Sequence, residues 1–317
     1  MPTACSGSAG YQGYLICGSN ILPYLSSDLA EVTELIMSQS IHGGGVSNIN
    51  PVFRSMINYS IGKRRAAGTV NTEVFAGTGS YANAWISIMQ RSIPSATDQS
   101  LVCQGFDASV TPLIFSPGGG SELKLPAAAA ANGKCIISSL ELRGNNGGNV
   151  QSNFSILSAG SDYNTTNANK PTAGQLAFES PGLTDDSNPV PWYSSNFVVT
   201  GSGEILTDNI IDWAITVNNN PIEIFAFDGN NFAQDIIIGM QQVTGSFSYY
   251  SANGVFVRYL THGAVGQITF GTTTINMPFM AFNASPIPSP GPNNPTVRNV
   301  TFSAVAAGPA LPAIYHS

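Results

Sequence analysis

The chain has 317 residues, of which 43% are hydrophobic and only 9% charged, against roughly 25% charged in an average soluble domain. Its 33 Gly and 20 Pro exclude an all-helical protein, and the length accommodates two domains of ordinary size. The net charge of −7, from 11 basic and 18 acidic residues, argues against tight wrapping of nucleic acid, which needs a basic face to neutralise phosphates.

Taken in chain order, the opening MPTACSGSAGYQG has no basic segment followed by an apolar run, so no secretory signal is expected. Residues 1–28 are expected to form an arm. EVTELIMSQS (31–40) and VFRSMINYS (52–60) read as a strand pair, and IGKRRAAGTVNTEVF (61–75) as a turn leading into an alternating strand. SYANAWISIMQRS then sets Tyr81, Trp85, Ile88 and Met89 on one helical stripe. Segment 93–134, with SPGGGSELKLPAAAAANGK, reads as a loop-like insertion, and CIISSLELRG and VQSNFSILSAG as two closing strands. Four Pro within 163–191 make 163–195 the expected linker.

In the second half, IIDWAITVNN and IEIFAF alternate with period two at Ile215, Val217, Ile222 and Ile224. IGMQQVTGSFSYY follows, then ANGVFVRYLTHG, with Phe256, Tyr259 and Leu260 on one helical stripe. SPIPSPGPNNP (285–295) is a Pro-rich loop, VRNVTFSAVAAG a closing strand, and 309–317 a tail. No window approaches 18 apolar residues, so no membrane-spanning helix is expected.

These elements form an internal repeat. Residues 61–75 and 238–250 share an Ile-Gly, a spacer, a second Gly and an alternating strand, at an offset of 177. Val150–Gly160 and Val297–Gly308 match through Phe154 and Phe302, at an offset of 148. One order in both copies, with an insertion in the first, predicts two β domains at 29–162 and 196–308.

Motifs of chemistry are weak. There is no G-x-S-x-G elbow and no phosphate-binding Gly-rich loop, and the three histidines His42, His262 and His316 stand apart from paired carboxylates. Cys5, Cys17, Cys103 and Cys135 include no CxxC pair, so no metal and no cofactor is expected. A Cys5–Cys17 disulfide is open, with buried free thiols as the alternative. Asp185-Asp186 lies in the linker and reads as solvating it. Lys63-Arg64-Arg65 is the single basic run, read either as a solvated turn or as a salt-bridge contact with an acidic neighbouring subunit. Residues 164–317 carry 3 basic and 9 acidic groups, so the second half is the anionic one.

Residues 196–308, in the order IIDWAITVNNNPIEIFAF, VTGSFSYYSANG, VFVRYLTHG and VRNVTFSAVAAG, resemble the tail tube proteins of tailed bacteriophages. Residues 29–160 are similar through IGKRRAAGTVNTEVF and NAWISIMQ. The resemblance implies a mainly β fold of two tandem antiparallel sandwich or barrel domains, each with one short helix. It also implies a ring of subunits whose strands line a lumen, stacked into a tube that conducts DNA during ejection. Two folds per chain favour a trimeric pseudo-hexamer over a hexamer. The implied partners are sister copies, a tape measure protein, and terminator or baseplate proteins. The implied location is the virion tail, assembled in the host cytoplasm, with no enzyme activity.

On that reading Glu73, Glu141, Asp212, Glu223 and Asp235 are candidates for the lumen wall, where acidic groups repel phosphates. Lys63, Arg64, Arg65, Gly118 and Gly119 are candidates for contacts between subunits. A baseplate hub or tail terminator of the same fold is the alternative. A glycan-binding adhesin using Trp192, Tyr193, Tyr249 and Tyr250 is a third reading, from a different class.

Overall fold

The computed structural model describes residues 13–38, 58–109, 111–117, 122–130, 133–164, 187–201, 204–206, 210–226, 230–250, 263–284, 297–306 and 311–317. A hairpin of β1 (Tyr14–Cys17) and β2 (Asn20–Pro23), turned at Gly18 (φ 63°), opens the chain and is followed by β3 (Ser26–Ser27). β4 (Ala30–Ser38) pairs with the long β5 (Asn58–Glu73), and β6 (Phe75–Gly77) leads into α1 (Ser80–Met89). After α2 (Ser100–Gln104) come β7 (Phe106–Asp107), β8 (Leu113–Ser116) and β9 (Glu122–Leu125). β10 (Lys134–Gly144) and β11 (Gln151–Ser158) form a hairpin, followed by β12 (Asp162–Asn164).

The second half begins with β13 (Ser187–Pro189), a 3-10 turn at Trp192–Ser194, β14 (Ser195–Gly201) and β15 (Glu204–Leu206). β16 (Ile210–Asn218) precedes a small ribbon of β17 (Ile222–Ile224) and β18 (Asp235–Ile237). β19 (Gln242–Tyr250), β20 (Ala264–Phe270), β21 (Thr273–Ala284), β22 (Val297–Ala304) and β23 (Tyr315–His316) complete it.

The protein is mainly β, as the sequence implied. One fourteen-stranded sheet runs β15-β14-β20-β21-β22-β19-β16-β10-β11-β5-β3, with β23, β4 and β7 attached to β21, β5 and β10. It crosses from one half of the chain to the other where β10 pairs with β16, from Ser139↔Asn218 to Gly144↔Trp213. The sheet curls, so that Phe197 of β14 reaches Trp213 of β16 and Phe247 of β19 with ring centroids 6.0 and 5.6 Å apart. A second sheet, β12-β9-β8-β1-β2, and α1 cover the inner face of the first half.

Period-two alternation explains the shared core. Phe154 and Ile156 of β11, Leu140 and Leu142 of β10, Ile215 and Val217 of β16, and Phe247 and Phe302 of β19 and β22 all point inward and are buried. They belong to one hydrophobic cluster drawn from both halves. Burying each such side chain contributes about 1.5–3 kcal/mol. α1 presents Tyr81, Trp85, Ile88 and Met89 to this core as the stripe predicted. Trp85 meets Phe270 of β20 edge-to-face at 6.0 Å.

Several segments differ from their sequence reading. Segment 93–134, expected as loop, holds α2, β7, β8 and β9. Its anchor is Arg91, a buried guanidinium that donates to the carbonyls of Gly105 and Ser87 at 3.0 Å each and stacks on Phe106 at 4.2 Å. Within the expected N-terminal arm, Leu15 and Leu22 of the β1–β2 hairpin are fully buried. Within the expected linker, β13 pairs with β6, and within the expected tail, β23 pairs with β21 while Ile314 is buried. In each case a short segment finds a partner distant in sequence. The expected helix at 252–263 lies outside the described residues except for Gly263.

Candidate functional site

Inward residues of the central strands form the core, so the intervening residues share the opposite face. Register places them in rows across six strands drawn from both halves. One row reads Asn71, Asn153, Glu141, Thr216, Thr244 and Ser303. The next reads Glu73, Gln151, Arg143, Ala214, Ser246 and Thr301. A flanking row sets Asp212 opposite Ser248 and Ser248 opposite Asn299. The result is a broad surface of short hydroxyl and amide side chains with four charges, Glu73, Glu141, Asp212 and Arg143.

These side chains hold one another. Ser139 donates to the Ser155 hydroxyl at 2.9 Å, Ser248 to Asn299 Oδ1 at 2.7 Å, and Asn149 to Glu73 Oε1 at 2.9 Å. Asn283 Nδ2 donates to the Ser303 hydroxyl at 3.2 Å. Cross-strand pairs of this kind contribute about 0.2–1 kcal/mol each and fix the register of the sheet. Arg143 was not singled out from the sequence, although the polar alternation of CIISSLELRG places it on the same face as Glu141.

The other acidic candidates stand elsewhere. Glu223 on β17 pairs with Arg65 Nη1 at 3.1 Å, and Asp235 on β18 with Lys134 Nζ at 2.9 Å. The basic run engages the same region of the chain. Lys63 Nζ lies 4.6 Å from the Phe225 ring centre, and Arg64 lies 4.9 Å from that of Phe232 while pairing with Glu31. The Arg64 amide also donates to the Asn231 carbonyl at 2.8 Å. These contacts clamp the β17–β18 ribbon of the second half onto the β4–β5 hairpin of the first. Gly118 and Gly119 lie outside the described residues.

Other candidate chemistry is dispersed. Among the described residues no group of three His, Cys, Asp or Glu is placed to hold a metal ion. Cys17 and Cys135 are buried free thiols and Cys103 is exposed. Burial pushes the Cys135 thiol up to about 12 and raises that of Cys17, which removes both from thiolate chemistry at neutral pH. His42, His262 and Cys5 lie outside the described residues. Burial holds the His316 imidazole below its ordinary value. Tyr249 is buried, its ring tilted against Phe247 at 6.1 Å, so it offers no face for a sugar, whereas Tyr193 is exposed beside Trp192.

The family model of the phage tail tube protein matches residues 56–305. The chain belongs to the phage tail tube protein family. The matched span begins just before β5 and ends just after β22, so both long polar rows of this tail tube protein lie wholly inside it. A search of curated proteins found no match to the chain. Membership makes the protein a structural component of a phage tail.

Proposed function

We propose that the protein is the repeating wall subunit of the tail tube, with the polar face of the central sheet turned to the channel. Copies join side by side into a ring, and rings stack head to tail into a hollow rod. A ring of three chains supplies six repeat units, giving a pseudo-hexamer. The observation that carries the reading is the unbroken polar face across strands of both halves. Its rows hold Glu73, Glu141 and Asp212 against Arg143, and where β5 extends this face it carries Arg65, which is paired with Glu223. A wall of this kind remains hydrated through its hydroxyls and amides and offers DNA phosphates almost no counter-charge to bind, so the genome slides.

Its partners in this role are sister copies, a tape measure protein inside the growing rod, and terminator and baseplate proteins at the ends, with assembly in the host cytoplasm. A hub or terminator built on the same fold differs by copy number, one ring rather than dozens. The test is electron microscopy of the purified protein at high concentration, together with its stoichiometry in virions. Hollow rods and a high copy number are the expected result. Compact monomers, absent from virions, would overturn the reading.

A further inference from the structure

The repeat and the sheet order together define an interface. Across the sheet the first unit runs β4-β5-β11-β10 and the second β16-β19-β22-β21. β5 and β19 carry the repeated Ile-Gly motif, β11 and β22 carry Phe154 and Phe302, and in each unit these two strands pair antiparallel. The pairing is the same with a slip of two residues, which preserves the side-chain faces: Gly68 lies opposite Ile156, and its counterpart Gly245 opposite Phe302. The units meet where the last strand of the first, β10, pairs with the first strand of the second, β16.

We propose that β21 of one copy pairs antiparallel with β4 of the next copy, repeating the β10–β16 junction between molecules. This rests on reading the protein as a ring-forming wall subunit, and it names the strands that close the ring.

The two edges have the form this pairing needs. Leu140 lies opposite Phe154, and Phe282 lies opposite Phe302, so Ser139–Leu142 of β10 correspond to Ala281–Ala284 of β21. In the first unit, β7 takes the start of β10 at Lys134 and Cys135, and β16 takes the remainder from Ser139. In the second, β20 takes the start of β21 up to Met280, and among the described residues no ladder runs along that side of the strand beyond it. Phe282 turns its ring inward to Phe247, 6.3 Å away, leaving Ala281 and Asn283 on the polar face.

On the receiving side, β4 pairs with β5 along one edge, and among the described residues no ladder occupies the other. Ala30 is exposed there, and Val32 is 41% exposed. A free edge in a monomer is normally blunted by Lys, Pro or an exposed charge. Ala30–Thr33 contains neither Lys nor Pro, and its one charge, Glu31, is taken up within the chain by Arg64 and Ser161. The contact is heterologous, edge to opposite edge, so it extends the sheet from chain to chain until the curvature closes a ring.

The test uses full-length protein with one cysteine on each edge, either Val32→Cys with Ala281→Cys or Ala30→Cys with Asn283→Cys, the two pairs allowing for a register slip. Assembled rods are oxidised and run on non-reducing gels beside the single variants. Covalent dimers and trimers from at least one pair, absent from the single variants, are the expected result. Val32→Lys, at an exposed position, is expected to retain the wild-type circular dichroism and to lose rod formation. Rods that form normally, with neither pair cross-linking and Val32→Lys assembling like wild type, overturn this edge pairing and leave the wall-subunit reading standing. Failure of the unaltered protein to form rods overturns both.

Discussion

The two repeat units use the same four-strand order but cover their inner faces differently. The first is covered by α1 and by a separate five-stranded sheet anchored through Leu15, Leu22, Phe115 and Leu125. The second is covered by its own sheet, which curls until β14 and β20 bring Phe197 and Phe270 over Trp213. What the units share is the polar face and the strand order beneath it, and what varies is the packing behind. The polar side is thus held constant between the two units, while the hidden side is filled by whichever elements the chain supplies.

The comparison predicts, first, that matched core residues of the two units matter equally, because one hydrophobic cluster joins them. Phe154→Ala and Phe302→Ala remove fully buried rings and are each expected to cost about 3–5 kcal/mol, with a single cooperative transition in urea. Two separate transitions, or a loss confined to one unit, would break the equivalence. Next in size is the junction itself. A Cβ at Gly144 would lie 2.5 Å from Trp213 Nε1, so Gly144→Ala forces the indole aside. It is expected to destabilise by about 1–3 kcal/mol with a change in tryptophan fluorescence, whereas Gly148→Ala, with open space around it, leaves the fluorescence unchanged.

A smaller effect concerns acid. The His316 imidazole titrates below its ordinary value because burial disfavours the cation. Below about pH 6.5 the unfolded chain therefore takes up a proton that the folded chain resists, so this contribution is complete above that range and is lost as the pH falls through it. The thermal midpoint of His316→Gln is expected to fall less than that of wild type between about pH 7.5 and pH 5.5. Parallel curves would remove His316 from the account. The smallest effect is the clamp between the halves. Arg65 and Glu223 are expected to couple by about 0.2–1 kcal/mol in a double-mutant cycle, because the arginine is half exposed. A coupling of zero would leave the ribbon held by its other contacts, among them Lys134–Asp235, the Arg64 amide on Asn231 and the packing of Phe232.

Legibility in the sequence followed the length of the signal. β5 with β19 and β11 with β22 are long alternating strands in two motifs that each occur twice, so the repeat disclosed them before any contact was known, although the basic stretch read as a turn at 61–65 lies within β5. The stripe of α1 was equally plain. β8 and β9 have four residues each, too few for alternation to stand out, so LIFS and ELKL vanished into a Gly- and Ala-rich stretch. The candidate acids divided for a related reason. Glu73, Glu141 and Asp212 sit in strands whose period sets their face. Glu223 and Asp235 sit in a three-residue ribbon whose partners, Arg65 and Lys134, are more than a hundred residues away in sequence. Pairing between β10 and β16 carries no local mark at all, since it joins strands from different copies of the repeat.

Helical reconstruction of the assembled rod tests the central claim most directly. The account predicts a wall of continuous β-sheet with Glu141 and Asp212 facing the channel and the Phe154 and Phe302 side buried in the wall. A rod whose channel is lined by other surfaces, with these carboxylates on its exterior, would contradict it.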